Sequence, residues 1–79
     1  MNFVALTLRQ FPTDALDRRW LDERTKAWSS AKFWVRKCRD ATSVEERERC
    51  EKWLGIAAFE HRHYNNLIWN RIREIENEH

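Results

Sequence analysis

Arg39-Asp40-Ala41-Thr42-Ser43-Val44-Glu45-Glu46 is the stretch on which the fold turns. Ser43 followed three residues later by Glu46 matches the capping box, in which a hydroxyl and a carboxylate each satisfy a backbone N–H left orphaned at a helix start. One helix therefore ends by Asp40 and the next begins at Ser43. Links that short join antiparallel neighbours. Working outward, the chain divides into residues 2–11, 14–40 and 43–77. Pro12 followed by Thr13-Asp14 reads as a break and then a helix start, with Thr as a good N-cap and Asp suited to the positive end of the helix dipole. The expected fold class is all-α, an antiparallel hairpin of two long helices preceded by a short N-terminal element.

Apolar spacing supports both helices. At steps of about 100° per residue, Leu16, Trp20, Leu21, Ala27, Trp28, Ala31, Trp34, Val35 and Cys38 share one arc of the first. In the second, Cys50, Leu54, Ala57, His61, Tyr64, Ile68, Ile72 and Ile75 recur at intervals of three and four, a helical seam and not the alternation of a strand. Trp53, Ile56 and Leu67 widen that face beyond what one partner helix covers. Self-association into a dimeric helical bundle is the simplest remedy, and a closed two-fold dimer is the commonest symmetric oligomer. Alternatively residues 2–11, with Phe3, Val4, Leu6, Leu8 and Phe11, cover the hairpin.

Length and composition narrow the class. At 79 residues the chain is expected to be one domain, of a size where a single core barely outweighs chain entropy. Five Trp, four Phe and one Tyr supply large buried areas, while one Gly and one Pro leave little for the turns of a sandwich or barrel. A charged fraction of 35% with a net charge of +2 describes a mixed surface and not a polycation. No apolar run approaches the roughly 18 residues of a membrane span, and Phe3 to Leu8 is too short for a secretory signal. A cytoplasmic protein without a membrane partner is expected, with Cys38 and Cys50 as reduced core residues.

Two aromatics break the apolar pattern. Phe33 lies among Lys26, Ser29, Arg36 and Lys37, and Phe59 lies on the polar side of the second helix, one turn after Gly55. Exposed aromatics flanked by basic side chains are frequent contact points, so Phe33, Lys26, Arg36, Lys37 and Phe59 are the candidate partner-binding residues. The competing expectation is that the N-terminal segment or a second subunit covers both rings. From Arg24 to Arg39 the first helix carries Arg24, Lys26, Lys32, Arg36, Lys37 and Arg39 without an acid. Such a stretch grips phosphates or docks on an acidic protein surface, unless Glu45, Glu46, Glu48, Glu51 and Glu60 of the antiparallel helix neutralise it.

Catalytic chemistry finds no foothold. Glu60-His61-Arg62-His63 has the Glu-x-x-His spacing of carboxylate-bridged helix bundles, a site that would need two copies in a dimer with Asp22 or Glu23 from the first helix. His63, however, falls on the polar arc, and His61 reads as a hydrogen-bonded seam histidine. Neither Cys lies at a helix N-terminus, and one Gly excludes glycine-rich phosphate loops. No cofactor and no enzyme activity are expected. The expectation is a small protein-binding module that docks on and modulates or inhibits another macromolecule, the kind of product phages and mobile elements use against host proteins. Its rival is a nucleic-acid-binding dimer that resembles the small helical-hairpin RNA-binding proteins of plasmids and uses stretch 24–39, although an isoelectric point near 8.8 falls short of a strongly basic footprint.

Overall fold

The computed structural model of the protein describes residues 11–77. They form α1 (Ala15–Asp40) and α2 (Val44–Asn77), packed against each other as an antiparallel hairpin. Strands are absent among the described residues. The long axis of 54 Å matches the 34 residues of α2, which at the helical rise span about 51 Å. The expectations for residues 2–10 lie outside the described residues. Phe11 is described, and it is buried ahead of α1.

Both helices begin with the same device, displaced by one residue at α1 and in place at α2. Asp14, not Thr13, is the N-cap of α1: its Oδ1 accepts from the Asp17 N–H at 2.8 Å. The Asp17 carboxylate reaches back to accept from the Thr13 N–H at 3.0 Å and the Thr13 hydroxyl at 2.6 Å. At α2, Ser43 Oγ accepts from the Glu46 N–H at 3.1 Å, and Glu46 Oε2 accepts from both the N–H and the hydroxyl of Thr42 at 3.3 Å. The capping Ser is confirmed, but the returning carboxylate bonds the residue before the cap. Thr-(Asp/Ser)-x-x-(Asp/Glu) is thus a repeated start signal, in which a threonine offers two donors to a carboxylate one turn ahead.

The two helices meet in a regular register. Trp34 faces Trp53, Trp28 faces His61, Arg24 donates to Asn65 Oδ1 at 2.9 Å, and Asp17 meets Arg71 at 3.6 Å. Each step back along α1 is answered by a step forward along α2. The dry centre lies at the end remote from the turn, where Phe11, Ile68, Ile72 and Ile75 cluster with Trp20 and Leu21 packed against them. Burying each isoleucine there contributes about 2 kcal/mol.

The predicted arc of α2 is largely the buried one: Cys50, Ala57, Ile68, Ile72 and Ile75 are buried, with Leu54, His61 and Tyr64 half-buried. On α1 the expected arc needs correction. Leu16 is 51% exposed, and Trp28 and Val35 are exposed as well. The position beside Leu16 is taken by Asp17, only 1% exposed. A carboxylate is tolerated there because its partners are present: the Thr13 donors and the Arg71 guanidinium, whose Nη2 also donates to Thr13 Oγ1 at 3.3 Å. Among the described residues no helix is long and apolar enough to cross a membrane.

Candidate functional site

At the turn end the seam carries aromatic rings in place of isoleucines. Trp34 of α1 and Trp53 of α2 meet across the seam, and their rings stack with centroids 6.1 Å apart and planes 18° apart. Phe33, next to Trp34 on α1, meets it edge-on at 5.0 Å and 81°. One turn further on, Lys37 lies over the Phe33 ring, with Nζ 5.5 Å from its centroid. A row of Trp53, Trp34, Phe33 and Lys37 therefore runs from one helix across to the other.

Two hollows flank this row. One, about 330 Å³, is lined by Phe33, Arg36, Lys37, Asp40 and Glu46. The other, about 470 Å³, is lined by Trp34, Lys37, Glu46, Arg49, Cys50 and Trp53. Lys37 and Glu46 belong to both, so the hollows form one open groove. Phe33 is 47% exposed and Trp53 is exposed beside it.

The charges around the groove are unequally engaged. Asp40 holds Arg39 at 3.3 Å, and Glu46 is occupied by Thr42 at the start of α2. Arg36, Lys37 and Arg49 form no ion pair among the described residues. Among the described residues no ion pair joins the basic stretch to the glutamates of α2. Lys26 pairs on its own helix with Glu23 at 3.6 Å, and Arg24 is bound to Asn65. The reason is geometric: Glu45, Glu48, Glu51 and Glu60 are exposed, and no ion pair bridges from them to α1.

The candidate residues do not all converge. Phe33, Arg36 and Lys37 share one hollow. Lys26 sits about two turns away along α1. Phe59 comes two residues after buried Ala57, which places it roughly 200° round α2 from the seam, and it is 70% exposed. It belongs to the back of the hairpin and not to the groove. Gly55 beside it has open space where a side chain would be. Trp34, Trp53 and Arg49 are the contributors that the sequence reading left out of the site. Trp34 and Trp53 stood on the apolar faces of the two helices, and the sequence alone did not show that their rings would meet beside Phe33.

No protein-family model, no curated protein and no solved structure matches the chain. What the surface can do is therefore read from its own geometry.

A second apolar patch lies on the other side of the ribbon. Trp28 and Val35, seven residues apart and so on one flank of α1, are both exposed. The Trp28 ring lies 5.3 Å from that of His61, and Lys32 covers it at 5.9 Å. Arg24, Thr25, Trp28 and His61 line a hollow of about 390 Å³ there. His61 touches an indole, in keeping with a seam histidine. Among the described residues no three His, Cys, Asp or Glu side chains gather as for a metal ion.

The thiols lie at the turn end. Cys50 is buried, Cys38 is half-buried, and both are free. Burial pushes the Cys38 thiol up from its ordinary value, and neighbouring Cys50 and Glu51 add to this while Arg47 opposes it.

Proposed function

We propose that this protein is a cytoplasmic, non-catalytic protein-binding module, a homodimer that docks on another protein and modulates or inhibits it. The observation that carries this reading is the groove at the turn end, where exposed rings stand beside cations without acidic partners while the nearby acids are internally engaged. That chemistry suits an acidic segment bearing an apolar side chain. The apolar group covers Phe33 and Trp53, and its carboxylates meet Arg36, Lys37 and Arg49. The opposite patch of Trp28 and Val35 suits a second copy of the chain, since Arg24 there is already bonded to Asn65. A two-fold contact sets identical side chains near one another, so a face with engaged charge is the better surface for it.

Sedimentation equilibrium at micromolar concentration is expected to report twice the chain mass. A monomer at all concentrations overturns the dimer.

The docking face is tested with short labelled peptides in which Asp and Glu flank one Leu or Phe, and with a single-stranded oligonucleotide of equal charge. Phe33→Ala is expected to leave the melting temperature nearly unchanged and to weaken peptide binding by about 2 kcal/mol, roughly 30-fold. Lys37→Glu is expected to weaken it comparably. The same free cations beside exposed rings support nucleic-acid binding as the second reading. If the oligonucleotide binds better than the peptides, and loses orders of magnitude in affinity between low and moderate salt, that reading replaces the first.

A further inference from the structure

We propose that Cys38 and Cys50 are a disulfide-forming pair, a modification site that staples the turn end of the hairpin. The inference rests on register. Cys38 lies one turn beyond Trp34 on α1 and Cys50 lies one turn before Trp53 on α2, so the two thiols flank the seam at the level next below the stacked indoles. Cys50 is also near enough to be among the groups that raise the Cys38 thiol. Cys38 is half-buried and so open to an oxidant from solvent, while Cys50 is buried beside the hollow between Trp34 and Trp53.

A glutathione disulfide balances the chemistry. Cys38, the more exposed of the two, loses its proton and attacks one sulfur of the oxidised glutathione. The glutathione S–S bond breaks, and one glutathione leaves and takes up the proton. Cys50 then loses its proton and attacks the Cys38 sulfur of the mixed disulfide. The second glutathione leaves protonated. Two protein thiols are oxidised by two electrons, and one glutathione disulfide becomes two thiols. Because the Cys38 thiol is held above its ordinary value, its thiolate is scarce near neutrality. The pair is therefore a slow staple set by the surrounding redox poise and not a fast peroxide sensor.

The full chain incubated with oxidised glutathione is expected to lose about 2 Da, the mass of two hydrogens. Peptide mapping without reductant should join the segment holding Cys38 to the one holding Cys50. The melting temperature should rise by roughly ten degrees, because the cross-link restricts the unfolded chain. Cys38→Ser should abolish the mass loss while leaving the melting of the reduced protein within a few degrees. Cys50→Ser should abolish it as well, and if that buried substitution unfolds the chain, the Cys38→Ser result decides. Accumulation of glutathione adducts alone, or of cross-linked dimers whose yield grows with protein concentration, overturns the proposal. So does a disulfide that lowers the melting temperature.

Discussion

Replacing Asp17 with Ala is expected to lower the unfolding free energy by about 2 to 4 kcal/mol, an unusual cost for a residue at the start of a helix. Asp17 is 1% exposed and serves three groups at once. It accepts from the Thr13 N–H and hydroxyl and faces the Arg71 guanidinium at 3.6 Å. Truncation leaves both Thr13 donors without their acceptor and removes a carboxylate from beside a guanidinium that is itself largely buried. Arg71 keeps Glu74 at 3.2 Å, and its side chain is 27% exposed, so the estimate sits below that for a fully buried ion pair. Urea unfolding monitored by helical circular dichroism, with an unchanged slope, measures the loss. A loss under about 1 kcal/mol would mean that water replaces the carboxylate and that the network does not lock α1 to α2.

Ile68→Ala is expected to cost about 3 to 4 kcal/mol, combining lost transfer energy with the cavity left behind. Ile68 is 2% exposed and packs with Phe11, Ile72 and Ile75. Typical stabilities of about 0.05 to 0.15 kcal/mol per residue put the whole chain near 4 to 12 kcal/mol. One such truncation therefore consumes much of the total and shows as a large drop in denaturation midpoint. Val44→Ala provides the control, because Val44 is 73% exposed and should move the midpoint by little. Equal effects of the two substitutions would mean that the isoleucine cluster is not the centre of stability.

How far these features could be read beforehand differs from one residue to the next. Ser43 and Glu46 placed the turn because capping depends on local spacing alone. The isoleucines of α2 placed the seam because a period of three and four admits one buried face. Leu16 was placed on the buried arc and Asp17 was passed over, since hydrophobicity ranks a leucine above a carboxylate. The ranking ignores Thr13 and Arg71, and Arg71 is far away in sequence. The alternative in which α2 glutamates pair with the basic stretch finds no ion pair among the described residues, because antiparallel pairing brings helices together but only the register decides which charges meet. Phe33 and Phe59 were both recognised as outward aromatics, and both are exposed. That they point to different sides follows from how each helix is rotated against its partner.

The aliphatic cluster and the aromatic row sit at opposite ends of the hairpin, and this gives the molecule a gradient of rigidity. Where Ile68, Ile72 and Ile75 exclude water, opening the seam exposes the buried cluster they form with Phe11, so that end is costly to open short of unfolding the chain. At the turn end, Trp53 and Phe33 already have one side in solvent, and local separation there costs far less. The rings can rearrange around an incoming side chain while the isoleucine end holds the two helices in place, so adaptability at one end does not draw on the stability of the other.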